Sequence, residues 1–169
     1  MTDSFVPPHG GYQKLLSYQK ALIVHQGTVR FCQRFLDQRS RTVDQMVRAS
    51  RSGKQNILEG SKASAASKES EFRLTNVARA SLEELLEDYL DYLRERRLEL
   101  WAKDCREALW VRRAGAARGV TFDAFRPIVE NRPAGVVANA WSTRPTTCWT
   151  DSFVAWSGTS SSRVACGSV

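Results

Sequence analysis

Metal-ligating and nucleophilic side chains are scarce in this sequence. Its 169 residues include four cysteines and two histidines, and no two cysteines form a CxxC pair. Zinc sites need closely spaced cysteine or histidine ligands, and disulfide-stabilised domains are much richer in cysteine. We therefore expect no metal site, no cofactor and no disulfide framework. We interpret the thiols as reduced and cytoplasmic, at Cys32, Cys105, Cys148 and Cys166.

Long apolar runs are also missing. No stretch approaches the roughly 20 apolar residues that a membrane-spanning helix needs. The first residues, MTDSFVPPHGG, lack the basic and apolar regions of a secretory signal. A chain of this length holds one domain, or one domain with an extension, and can bury a sizeable core. We expect a cytoplasmic protein with no membrane partner.

Residues 51–54, Arg-Ser-Gly-Lys, look like part of a phosphate-binding loop but lack its other elements. Such a loop has a second glycine five residues before its Gly-Lys pair and a Ser or Thr after the lysine. Here Arg48 occupies the upstream position and Gln55 follows Lys54. No strand-like pattern precedes the loop, so the sequence argues against a nucleotide site at Lys54.

No stretch shows the period-two alternation of a strand, and we predict an all-α fold. Apolar residues recur at the helical period from Tyr12 onward, and a polar break at residues 37–42 separates this first helix from a second. His25 lies on the apolar stripe of the first helix, with no cysteine or carboxylate placed to pair with it. We interpret it as a packed or edge histidine.

Two glycines mark the second predicted helix, whose apolar face includes Val43, Met46, Val47, Ile57 and Leu58. A glycine inside a helix costs about 1 kcal/mol relative to alanine, so Gly53 indicates a close helix crossing or a kink. Gly60 is predicted to cap the C-terminus of this helix, and residues 61–67 to form a small-residue linker.

The third helix has the clearest pattern in the chain. Ser67 is a suitable N-cap, and Glu69 and Glu71 follow in the first turn, where the helix dipole favours anions. The apolar stripe runs as far as the sequence RERR and comprises Phe72, Leu74, Val77, Ala78, Ser81, Leu82, Leu85, Leu86, Tyr89, Leu90 and Leu93. Three long amphipathic helices with short connections predict an antiparallel up-and-down four-helix bundle.

The chain divides into four predicted regions: an irregular arm at 1–11, the bundle core at 12–100, an extension at 101–140 and a tail at 141–169. A shorter helix is predicted from Trp101 to Arg113, followed by a strap or pair of turns at Pro127 and Pro133. The tail has no helical period as written. Shifting the reading frame restores a helical apolar pattern there, so we hypothesise that the chain leaves its frame near Asn139 and that the native fourth helix is lost or degraded.

Positive charge is concentrated in the first part of the chain. The net charge is +7, with ten Lys/Arg against four Asp/Glu in residues 1–62, and six against nine in residues 63–100. The candidate nucleic-acid-binding residues follow the second helix and extend to the first, at Arg30, Arg34, Arg41, Arg48, Arg51, Lys54 and Lys62. Such a stripe neutralises phosphates. The alternatives are a solvated face or salt bridges to the Glu-rich third helix of the same or a neighbouring subunit.

Residues 12–100 resemble the four-helix-bundle family of 23S rRNA intervening-sequence proteins. The resemblance is carried by a Tyr-Gln-Lys-Ala start, by Asn56-Ile-Leu-Glu59-Gly60, and by Ser-Leu-Glu-Glu-Leu at 81–85. An Arg-Pro stretch at 132–139 is similar to a subgroup with a C-terminal extension, and the accessory variability determinant of diversity-generating retroelements is related. The resemblance implies a small helical protomer that assembles into a ring, commonly a pentamer.

Three functions remain open at the level of sequence. The first is a non-enzymatic, homo-oligomeric nucleic-acid-binding module with RNA as the preferred ligand. The second is an oligomeric structural or adaptor subunit for a protein partner, such as a reverse transcriptase or a ribonucleoprotein. An enzyme is disfavoured because the acidic residues at 83–91 fall on a polar helix face. Asn56 and Glu59 are expected to serve in end-of-helix hydrogen bonds and in contacts with a neighbour's basic helix.

Overall fold

The computed structural model describes residues 11–102, 104–117 and 119–131. All regular structure in these ranges is helical, which confirms the predicted fold class. None of the helices described is long and apolar enough to cross a membrane. The elements are α1 (Leu16–Phe35), α2 (Arg41–Ala63), α3 (Lys68–Glu95), α4 (Arg106–Ala116), α5 (Arg126–Asn131) and two single 3-10 turns at Tyr12–Lys14 and Phe122–Ala124.

Serine side chains define where the two longest helices begin. The Ser40 hydroxyl accepts a hydrogen bond from the Thr42 amide at the start of α2. The Ser67 hydroxyl accepts from the Ser70 amide at the start of α3, as the sequence predicted. These bonds satisfy amides that have no partner within the first helical turn.

The main core lies where α1, α2 and α3 meet. Phe31 is fully buried and forms edge-to-face contacts with the rings of Tyr89 and Tyr92, with centroids 4.9 and 5.0 Å apart. The Tyr89 hydroxyl donates a 3.1 Å hydrogen bond to the buried Thr28 hydroxyl, so burial of the tyrosine leaves no unsatisfied polar atom there. Two predicted stripe residues of α3 lie outside this core, since Phe72 is 57% and Val77 45% exposed.

The two glycines of α2 face α3. A β-carbon at Gly53 would lie 2.7 Å from Leu82 Cγ, so the predicted close crossing is confirmed. The predicted C-cap at Gly60 is wrong, because α2 continues to Ala63. Gly60 is buried inside the helix, and its β-carbon position is 3.4 Å from the Glu71 carbonyl oxygen. Packing against α3 thus stabilises the helical conformation at Gly60, and α2 continues beyond it.

The extension folds onto the outer side of α1. The predicted fourth helix exists but begins at Arg106 rather than Trp101. The predicted strap at Pro127 is wrong, because this proline lies in the first turn of α5, where its missing amide is tolerated. A second apolar cluster forms here from Ile23, Val111, Phe122, Phe125 and Val129. Pro133, the Arg-Pro stretch, the arm at 1–10 and the tail with its hypothesised frame change lie outside the described residues.

Candidate nucleic-acid interface

The buried residues of α2 show which side of this helix faces solvent. Met46, Ser50, Gly53 and Ile57 are spaced three or four residues apart and are buried against α1 and α3. At about 100° per residue, this periodicity turns the intervening basic residues away from the core. Arg41, Arg48 and Arg51 are exposed and Lys54 is half-buried at the edge toward α1. We call these four residues the α2 basic face.

The α2 basic face has no ion-pair partner among the described residues. Four acidic residues of α3 instead pair within their own helix, as Lys68 with Glu71, Arg79 with Glu83, and Arg94 with Glu87 and Asp91. The alternative in which the basic face forms salt bridges to α3 of the same chain is therefore wrong for the part of the chain that the structure describes. Its charges remain available to an external anion.

Lys54 and Arg51 lie beside His25 of α1. The Nδ1 atom of His25 is 3.0 Å from the Ser50 hydroxyl oxygen, and the residue is half-buried, so its predicted position as a packed or edge histidine is confirmed. Burial lowers the pKa of His25 below its ordinary value, and the positive charges of Lys54 and Arg51 lower it further. The helix crossing therefore brings the imidazole of His25 next to Arg51 and Lys54 of the α2 basic face.

The predicted residues of α1 do not join this surface. Both the Nε and Nη2 atoms of Arg30 donate to Glu130 Oε1, at 3.1 and 2.8 Å, which ties α1 to α5. Arg34 follows one turn later and is exposed. His25 marks the side of α1 that contacts α2. Arg30 and Arg34 follow it by five and nine residues, so they are rotated about 140° and 180° away from that side. The structure therefore does not bring these arginines to the α2 basic face, and their role in nucleic-acid binding stays a prediction.

Lys62 lies near the C-terminal end of α2. The sequence placed Lys62 just past the end of this helix, but it lies within the helix, which continues to Ala63. Its ammonium group is 5.7 Å from the centroid of the Tyr12 ring, a distance at which a cation is attracted to an aromatic face. Lys62 is exposed and extends the positive surface toward the N-terminal 3-10 turn.

The three residues of the family-like signature, Asn56, Glu59 and Gly60, all lie within α2. The Asn56 side chain donates to the Ser52 carbonyl and hydroxyl oxygens, at 2.9 and 3.2 Å. Ser52 in turn shares a 2.9 Å hydrogen bond with Ser81 of α3. Asn56 thus supports the α2–α3 contact from inside the helix, and its predicted end-of-helix role is wrong. Glu59 is exposed, and Gly60 provides the close approach described above.

The sequence patterns did not reveal that a carboxylate oxygen of Asp88 is buried. Asp88 lies on α3 with its Oδ2 atom buried and without a hydrogen-bond partner among the described residues. Burial raises its pKa to about 6, and the neighbouring carboxylates of Glu84 and Asp91 contribute. A raised carboxylate pKa can accompany acid–base chemistry. Among the described residues, no group of three His, Cys, Asp or Glu could hold a metal ion. Its position on the polar side of α3 in the sequence gave no signal of burial.

Compared with known proteins, the chain matches no family model, no curated protein and no solved structure.

Proposed function

We propose that this chain is a non-enzymatic nucleic-acid-binding protein that contacts RNA through the α2 basic face. The observation that carries the proposal is the set of cations at Arg41, Arg48, Arg51 and Lys54, which have no described ion-pair partner. The resemblance to the 23S rRNA intervening-sequence family favours RNA. It also favours an antiparallel up-and-down bundle, in which α1, α2 and α3 would supply the first three helices.

The geometry suits a ligand whose charge is carried along a backbone. Arg48, Arg51 and Lys54 follow one another at intervals of three residues, or about 4.5 Å along the helix axis. Together they span about 9 Å and about 120° of the helix surface. This arrangement supplies several phosphate contacts without presenting a base-reading element, so it gives affinity with little sequence specificity.

Salt dependence tests this proposal. If the four cations of the α2 basic face each neutralise one phosphate, the logarithm of the association constant should fall with the logarithm of salt concentration at a slope of about −3 for single-stranded RNA. Fluorescence anisotropy of a fluorescein-labelled uridine oligonucleotide, titrated with the full-length protein at several salt concentrations, measures this slope. An affinity that does not change with salt would contradict a phosphate-binding face.

A second candidate is an oligomeric adaptor that binds a protein partner. It is favoured by apolar side chains left in solvent, since Phe72, Val77, Leu109 and Trp110 are 57, 45, 37 and 43% exposed. Self-association, with the pentamer that the resemblance implies, would cover part of this surface.

Nuclease treatment separates the two candidates. We expect light scattering to give a mass above that of the monomer, and nuclease treatment of a lysate to release the proteins that co-purify with the chain through RNA. An adaptor would keep its protein partner after the same treatment. A strictly monomeric mass at micromolar concentration would contradict the assembly.

A further inference from the structure

A hydrogen bond to Ser50 of α2 holds the ring of His25. The fully buried Ser50 hydroxyl donates to the Val47 carbonyl oxygen over 2.9 Å. In this arrangement the hydroxyl accepts from His25, whose Nδ1 atom is 3.0 Å away. The neutral ring then has its proton on Nδ1, and its Nε2 atom has no hydrogen-bond partner among the described residues.

The surroundings of the ring are positively charged. Lys54 and Arg51, both on α2, are the charged groups that act on His25. Ser50 holds the ring near both cations, because it immediately precedes Arg51 and lies one helical turn before Lys54. On α3, the negative charge of Asp88 contributes to raising the pKa values of Cys32 and Tyr89. Cys32 lies about two helical turns along α1 from His25.

We propose that His25, Arg51 and Lys54 together form a phosphate-binding site at the crossing of α1 and α2, and that protonation of His25 Nε2 tightens RNA binding at acidic pH. The proposal rests on the proposed RNA-binding function and adds a residue of α1 to the α2 basic face. Protonated His25 presents a second N–H donor, so one phosphate can receive hydrogen bonds from both helices.

The direction of the pH effect follows from linkage. In the free protein, two neighbouring cations and burial disfavour the imidazolium, and the pKa of His25 is below its ordinary value. A bound phosphate offsets the positive field and raises that pKa. Affinity must then rise as pH falls through the pKa of the complex, and it levels off below the pKa of the free protein. If binding raises the pKa by about one unit, the gain in affinity is about tenfold.

The test compares RNA affinity at about pH 5.5 and about pH 8, within the range where histidine titrates. The wild-type chain should bind a labelled uridine oligonucleotide several-fold more tightly at the lower pH, approaching about tenfold only once the pH is below the pKa of the free protein. His25→Asn keeps a side-chain donor for Ser50 but cannot be protonated, so its affinity should change much less. Asp88→Asn should behave like the wild-type protein, because this carboxylate lies outside the proposed site.

An NMR titration of the His25 ring in the wild-type chain gives a second readout that needs no substitution. We expect its pKa to rise when the oligonucleotide binds. Equal pH dependence in the wild-type and His25→Asn chains, or an unchanged His25 pKa on binding, would overturn the site while leaving RNA binding intact. Absence of RNA binding at either pH would instead contradict the proposed function, and the site with it.

Discussion

Replacing Gly53 by valine is expected to lower the free energy of unfolding by about 3 kcal/mol, because the new side chain overpacks the crossing of α2 and α3. Even the β-carbon of alanine would lie 2.7 Å from Leu82 Cγ and 2.8 Å from its Cδ2 atom. Leu82 is 6% exposed and has little space to move into. Gly53→Ala should therefore cost about 1 kcal/mol even though alanine favours helix formation. Chemical denaturation of the full-length protein measures both changes.

Gly115 provides the matched control. It lies in the last turn of α4, and a β-carbon there would meet nothing within 4 Å. Gly115→Ala should leave stability unchanged or raise it by up to about 1 kcal/mol. Combining Gly53→Ala with Leu82→Ala should cost less than the sum of the two single changes, because the truncated leucine leaves room for the new methyl group. If Gly53→Ala were as harmless as Gly115→Ala, the close crossing would be disproved.

Features that depend on neighbouring residues could be predicted from the sequence. Ser67 caps α3 because its hydroxyl reaches an amide three residues away, and this bond needs no tertiary partner. Gly53 inside a helical pattern indicated a close crossing or a kink, because glycine inside a helix costs about 1 kcal/mol relative to alanine and close packing can compensate that cost. The solvent face of α2 was also predictable, since helical periodicity separates buried from exposed positions.

Features that depend on distant packing were not predictable. Gly60 carries the usual signal for a helix end, and only its contact with α3 shows that the helix continues. Arg30 was assigned to the basic surface because nothing in its local sequence reveals an acidic partner 100 residues away. The pairing of His25 with Ser50 likewise spans 25 residues, so its place beside the basic face emerged only from the fold.

Reversing three charges of the α2 basic face should abolish most RNA binding. In the variant Arg48→Glu/Arg51→Glu/Lys54→Glu, three phosphate contacts are lost and three carboxylates repel the RNA backbone. We expect the dissociation constant to rise at least about a hundredfold at low salt, because each charge-assisted contact is worth about 1.5–3 kcal/mol where it is well formed. The helix itself should persist, since these side chains face away from the core and have no described ion pair to lose.

The control variant must carry the same total charge. Arg73→Glu/Arg106→Glu/Arg113→Glu alters three exposed arginines of α3 and α4 that also have no described ion pair. Each substitution lowers the net charge by two, so both triple variants fall from a net charge of +7 to +1. Any difference between them reports the position of the charges rather than their sum. Circular dichroism and denaturation of both variants show that each remains folded.

The most direct test of RNA binding by the α2 basic face is therefore the dissociation constant of one labelled oligonucleotide for three proteins under identical salt and pH. The proteins are the wild-type chain, the variant reversed at positions 48, 51 and 54, and the variant reversed at positions 73, 106 and 113. We predict tight binding by the first, a loss of at least about a hundredfold in the second, and a change of no more than about threefold in the third. Equal losses in the two folded variants, or no binding by the wild-type chain, would contradict the account.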